Sequence, residues 1–264
     1  MAELTPMMQQ YFEIKNKNKD YILFYRLGDF YEMFFDDAKL VSRELELTLT
    51  GRDCGQGERA PMCGVPYHSA EGYIAKLVQK GYKIAICEQM EDPKKAKGLV
   101  KREIIRRVTP GTVVEASMLD ENRNNFLGCV YAAGGSVGVC FADITTGSVY
   151  ATGSDNWNDI TSEFGRFAPR EVLVGGGAIS ADSLQSFLKE RLEALIEPMP
   201  EECFEAQRSA ERIQEHFKVQ DFDAAGLTDL PCTVQCLGGL LDYLEQTQKA
   251  SLSSLNQLQV YHQG

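Results

Sequence analysis

Apolar residues recur at helical spacing in some stretches of the chain and alternate or cluster in others, and the two patterns interleave. Met7, Met8, Tyr11, Phe12 and Ile14 predict a helix within residues 1–19 that fades into the polar run from Lys15 to Lys19. Residues 21–27 are aromatic and branched and predict a strand. Gly28-Asp29 supplies turn chemistry, and residues 30–34 predict a second strand. Asp36-Asp37 opens a helix to about Leu45, because acids favour the first turn. A strand over 47–50, a loop over 54–59, a helix over 69–81 stopped by Gly81, and strands over 83–88 and 103–108 complete the first half. Thr109-Pro110-Gly111-Thr112 punctuates it.

A second unit then begins. Residues 126–133, 137–145 and 148–151 predict three consecutive strands, joined at Gly134-Gly135 and Thr146-Gly147 as tight hairpins. A helix over 157–167, a strand over 171–174, a helix over 181–192 and a strand over 194–197 come next, with helices over 201–217 and 234–248. Both halves read as α/β, the first with a mixed sheet. Three antiparallel strands followed by alternating helix and strand is the order of an RNase H-like fold. The expected organisation is a domain over 1–115, a polar linker over 116–124 and a second domain over 125–250. Leu252, Leu255, Leu258 and Val260 call for apolar partners that the last few residues do not supply, so 251–264 reads as the start of a further region of a longer protein.

The length of 264 residues suits two domains, and 44% hydrophobic residues suffice for two cores. No apolar run approaches the ~20 residues of a membrane span. The N-terminus has no basic segment followed by an apolar one. A cytoplasmic protein without membrane contact is expected. The eight cysteines are too sparse for a disulfide scaffold. Cys232 and Cys236 form the tightest pair, without a second pair or any of the three histidines at ligand spacing. Buried reduced thiols, and no metal site, are expected.

Charge divides the chain. Residues 1–115 hold 18 basic and 17 acidic side chains, a balance of +1, and residues 116–264 hold 9 and 21, a balance of −12, so the whole of the net negative charge lies in the second half. Between Lys94 and Arg107 seven basic residues face one acid, Glu103. Such a run is a solvated face or a support for phosphate.

The most informative segment is Leu27-Gly28-Asp29-Phe30-Tyr31-Glu32-Met33-Phe34. Alternation on a strand puts Phe30 and Glu32 on one face. Phe30 is either core or, beside a Gly-Asp turn, an exposed aromatic. An exposed aromatic next to a carboxylate can unstack a base step and probe a base edge.

That octapeptide resembles the Phe-x-Glu mismatch-recognition motif of the MutS family. Ala60-Pro61-Met62-Cys63-Gly64-Val65-Pro66-Tyr67-His68 is similar to the family's Pro-Met-x-Gly-x-Pro-Tyr-His segment. Ile84–Gln89, Arg106–Thr112 and Asp143–Gly147 resemble three further family blocks, in the family's order. The resemblance covers essentially the whole chain. It implies a mismatch-binding domain followed by a connector domain that is RNase H-like but not catalytic. It implies that Phe30 stacks on the mispaired base and that Glu32 hydrogen-bonds to it, either accepting or, if protonated, donating. It places Arg52, Met62 and His68 in or beside loops near the DNA. The implied partners are mismatched double-stranded DNA, a MutL-type protein on the connector and a second copy in a full-length homodimer. ATP and magnesium belong to full-length proteins of the family. This sequence has no G-x4-G-K-[ST] loop, so no cofactor and no ATPase activity are expected of it. Two rival readings remain. One is an RNase H-like nuclease holding two metal ions, for which Asp143, Glu163, Glu171 and Asp182 are the candidate carboxylates. The other is an interaction module that never touches DNA.

Overall fold

Thr5 starts the first helix: its hydroxyl accepts the Met8 N–H at 3.3 Å, and Pro6 fits the first turn, where an amide would be unpaired. This helix, α1, spans Pro6–Asn16. It ends before residue 19 because Asn18 turns back, its side-chain amide donating to the Ile14 carbonyl at 2.8 Å. The computed structural model describes residues 3–55, 57, 59–115, 118–119 and 125–262, and these form two units, Met1–Thr109 and Pro110–Gly264.

In the first unit β1 (Ile22–Leu27) and β2 (Phe30–Phe34) form a hairpin whose two-residue turn needs the left-handed Gly28, at φ +57°. α2 (Phe35–Leu45), β3 (Thr50–Asp53), β4 (Arg59–Pro66), a short 3-10 turn (Tyr67–Ser69), α3 (Ala70–Gln79), β5 (Ile84–Gln89) and β6 (Arg102–Val108) follow. The sheet order is β3-β4-β2-β1-β5-β6, with β1 and β5 parallel and every other neighbour antiparallel. α1 covers one face, where Tyr11 meets the rings of Tyr25 and Phe34. α2 lies on the other, where the Cys63 thiol donates to the Ala38 carbonyl.

Two expectations need correction here. The strand predicted over 47–50 begins only at Thr50, because Leu47 is held in the last turn of α2 by its amide bond to the Ser42 carbonyl and the Ser42 hydroxyl bond to its own carbonyl. Residues 59–66, which carry no predicted element, are a full strand between β2 and β3. Pro61, Gly64 and Pro66 mask it, since proline and glycine punctuate strands in a local reading.

In the second unit β7 (Leu127–Ala133), β8 (Ser136–Asp143) and β9 (Ser148–Ser154) form an antiparallel meander. α4 (Trp157–Phe167) and β10 (Glu171–Gly176) come next, then α5 (Asp182–Ser186), which continues as a π-turn (Phe187–Arg191). β11 (Leu195–Pro198), a 3-10 turn (Glu201–Phe204), α6 (Ala206–Phe217), α7 (Pro231–Thr247), α8 (Lys249–Leu252) and β12 (Gln257–Val260) complete it. The order β11-β10-β7-β8-β9-β12, with β10 and β11 parallel to β7, is an RNase H-like sheet with one added edge strand. Alternate residues build two cores. Cys129, Tyr131, Cys140 and Ala142 face α7, while Val130, Val139 and Phe141 face α4.

At the start of this unit residues 110–113 pack with it: Gly111 donates its amide to the Glu171 carboxylate at 3.1 Å, and Val113 is buried. The predicted linker over 116–124 lies outside the described residues, apart from 118 and 119. At the other end, β12 pairs in parallel with β9 and Leu255 is fully buried in the α7-side core. The apolar residues after 251 therefore find their partners within this sheet. Parallel pairing across a hundred residues leaves no local trace, so apolar spacing alone points away from it.

Candidate nucleic-acid interface

Phe30 opens β2 directly after the turn, paired with Leu27 on one side and Pro66 on the other. The residue is 42% exposed, whereas Phe34, four residues along the same face, is fully buried beneath Tyr11. The cover provided by α1 thus ends along β2. Of the two readings of Phe30, the exposed aromatic is the one realised.

Glu32 sits between them at the margin of that cover, half-buried, and opposite Gly64 on β4. A Cβ at position 64 would collide with the Glu32 carboxylate, so the absent side chain is what lets the carboxylate lie against the sheet. Burial raises the Glu32 carboxyl above the ordinary carboxylate range, and the positive charge of Arg52 partly offsets this. A carboxyl group so placed takes up a proton more readily than an exposed one.

The other expected site residues fall in different places. Arg52 is exposed on β3, paired with Ala60, and its field reaches Glu32. His68 is exposed on the 3-10 turn just after Pro66, its ring 3.7 Å from that of Tyr67, and so lies at the Phe30 end of β4. Met62 is half-buried, pairs with Phe34 and packs against the α1-side core, away from the tip. Arg52 and Met62 lie in strands, not loops, because β4 exists. The basic run divides as well. Arg102 is buried, donating to the Arg26 carbonyl and the Gln10 side chain. Arg106 is paired with Glu71 and Arg107 donates to Asn18. Lys94, Lys95 and Lys97 remain exposed.

Behind the tip lies a brace that local sequence patterns do not reveal. On the sheet face opposite Phe30, the Arg26 guanidinium pairs with Glu88 at 3.1 Å and lies 3.6 Å from the centre of the Tyr67 ring. Its Nε donates to the Gly28 carbonyl in the turn, at 2.6 Å. Tyr31 donates to the second Glu88 oxygen at 2.6 Å; burial and that carboxylate push its phenol up to about 12, so it remains a donor. The Tyr67 amide donates to the Asp29 carbonyl at 2.9 Å. Residues 26–31, 67 and 88 are three separate segments of the chain, and together they fix the turn from which Phe30 projects.

In the second unit the candidate nuclease carboxylates are occupied or apart. Asp143 accepts from the amide and hydroxyl of Thr145 in its own turn. Glu171 is buried, bonded to Gly111 and to the Tyr243 hydroxyl. Glu163 accepts from Tyr261 and pairs with Arg166. Asp182 lies in the first turn of α5. Among the described residues no group of three or more carboxylates comes within shared metal-ligand distance.

Fold and site together define a two-unit mixed α/β protein, with a projecting aromatic and a half-buried carboxyl on its first sheet and an RNase H-like second sheet. Family profiles described as MutS domain I and MutS domain II match residues 5–117 and 125–259, and the chain belongs to the MutS family. It is 50% identical to the DNA mismatch repair protein MutS of Acetivibrio thermocellus over 266 aligned residues, which cover 99% of this chain and 30% of that protein. It is 50% identical to the MutS of Lachnoclostridium phytofermentans and 49% identical to that of Ruminiclostridium cellulolyticum, again over 99% of the chain, covering 28% and 30% of those proteins. The chain therefore spans under a third of the length of these relatives. Among the described residues no helix is long and apolar enough to cross a membrane.

Proposed function

We propose that the chain is the mismatch-reading part of a DNA mismatch repair protein, in which Phe30 enters the duplex and stacks on a mispaired base while the Glu32 carboxyl hydrogen-bonds to it. The observation that carries this reading is the exposure of Phe30 on a turn held rigid from behind by Arg26, Glu88 and Tyr67. A wedge must be exposed to reach a base step and held firmly to kink it, and a mispaired step costs less to unstack than a paired one. Burial raises the Glu32 carboxyl, so taking up a proton on contact with a base, which lets it donate a hydrogen bond and removes a negative charge from among the phosphates, costs less than for an exposed carboxylate. Arg52, His68 and the exposed lysines 94, 95 and 97 support the backbone, and Met62 lines the sheet beneath. The acidic second unit repels phosphate and serves instead as a docking surface, for a MutL-type protein and for the remaining domains of a full-length, ATP- and magnesium-dependent homodimer in the cytoplasm. The chain itself carries no ATPase and acts by binding.

The test is the affinity of the chain for a mismatched duplex relative to its matched counterpart, at fixed low salt. Phe30→Ala is expected to remove one aromatic–base stack, about 1–3 kcal/mol, and so to lower that ratio by roughly fivefold to 150-fold. Glu32→Ala is expected to lower it as well while tightening matched binding. An unchanged ratio in both variants would overturn the reading.

A further inference from the structure

Cys129 on β7 and Cys140 on β8 are direct register partners, so their side chains stand together on the α7 face. α7 crosses that face closely enough that a Cβ at Gly138 would collide with the backbone of Cys232 and Thr233. This close approach brings Cys236, one turn further along α7, onto the pair. The three sulfurs lie within 4.8 Å of one another, with Cys140 and Cys236 at 3.5 Å. The Cys236 thiol also donates to the Cys129 carbonyl at 3.1 Å. All three residues are fully buried in one apolar cluster. Among the described residues no histidine, aspartate or glutamate joins them at ligand distance.

Three sulfur donors without a fourth select what they can hold. A central atom making ~2.3 Å bonds to sulfur, the length of a zinc–thiolate bond, sets its three sulfurs about 3.5–4 Å apart; Cys140 and Cys236 already stand at 3.5 Å, with the third sulfur within 4.8 Å of both. Zinc prefers four ligands, and calcium and magnesium prefer oxygen. Charge decides further. Three thiolates around a monovalent ion leave two negative charges in a dry core, and around a divalent ion they leave one. Around a trivalent centre they leave none, and an unpaired charge in such a core is strongly disfavoured. All three sulfurs lie in one fully buried apolar cluster, so the site favours chemistry that starts from neutral thiols and ends without net charge.

We propose that Cys129, Cys140 and Cys236 form a binding site for trivalent arsenic, taken up from arsenous acid as a neutral trithiolate. Three S–H bonds and three As–OH bonds break. Three As–S bonds form, each thiol proton leaves with a hydroxyl as water, and no electron is transferred. The product ties β7 and β8 to α7 through one atom. Uptake requires the local opening of α7 from the sheet and is accordingly slow.

The reduced 264-residue chain is incubated with arsenite, desalted and weighed by native mass spectrometry. One retained arsenic per chain, with the loss of three protons, is expected, together with a raised thermal midpoint. Cys129→Ala, Cys140→Ala and Cys236→Ala should each abolish retention through desalting, while Cys54→Ala and Cys87→Ala in the first unit should leave it unchanged. X-ray absorption at the arsenic edge on the unsubstituted chain removes any dependence on how the variants fold, and should show three sulfur neighbours and no oxygen. No retained arsenic, an oxygen in the coordination shell, or retention that survives Cys236→Ala would each overturn the proposal.

Discussion

Phe30 and Phe34 occupy the same face of the same strand, and their fates are opposite. The alternation of β2 makes them equivalent in a local reading; only the reach of α1 distinguishes them, and that reach is a tertiary fact. The consequence is measurable without DNA. Phe34→Ala is expected to cost about 3–5 kcal/mol, as for a buried ring, and Phe30→Ala to stay within about 1 kcal/mol, as for an exposed one. Denaturant midpoints for the two variants check this, and a large loss for Phe30→Ala would return that ring to the core. Glu32 carries a second signature. Its carboxyl is raised by burial, so between the ordinary carboxylate range and the raised folded value the folded chain holds a proton that the unfolded chain has released. Stability therefore falls as pH rises from the ordinary carboxylate range through the raised folded value, and the penalty is complete above it. Glu32→Gln should accordingly stabilise the chain at neutral pH and lose that advantage on acidification below the ordinary range. A stability difference that does not vary with pH would contradict the burial assigned to Glu32. That Phe30 and Glu32 share a face was legible in the sequence; the exposure of one and the raised carboxyl of the other were not.

At the scale of elements, the candidate site depends on β4. This strand supplies Gly64 beneath Glu32, Pro66 beside Phe30 and the turn bearing Tyr67 and His68. Its two prolines and glycine conceal it from strand patterns, yet the same glycine is the residue the site requires. Gly64→Ala tests that requirement. The atom a new methyl would meet is the mobile end of the Glu32 side chain, so the carboxylate should swing away while the fold tolerates the change. The expected outcome is a thermal midpoint close to that of the unsubstituted chain with a clear loss of preference for mismatched duplex. Retained preference would show that the position of the Glu32 carboxylate is immaterial. Most other elements were legible, because apolar spacing and turn residues agree along much of the chain: the β1–β2 hairpin, α4 and the meander of the second unit fall where the pattern puts them. What escaped was held together across distance. The Arg26–Glu88–Tyr67 brace joins three segments, β12 pairs with a strand a hundred residues earlier, and the three clustered cysteines have no ligand spacing in the sequence.

For the whole molecule, the uneven charge is the property that composition alone would have misread. A net charge of −11 argues against DNA, but the first 115 residues are close to neutral and the whole negative excess lies in residues 116–264. Of the cations in the basic run, Arg102, Arg106 and Arg107 are engaged in holding the first unit together, which leaves few for phosphate. On the proposed reading the first unit therefore has little unspecific affinity to contribute, and recognition would fall on the tip. The most direct measurement of that claim places a photoreactive phenylalanine analogue at position 30 and irradiates the chain at low salt with duplexes that differ only in one mispair. The account predicts a crosslink that maps to the mispaired base and is largely absent from the matched duplex. A crosslink of equal yield on both duplexes, scattered along the sugar–phosphate backbone, or none from an intact folded chain, would contradict it.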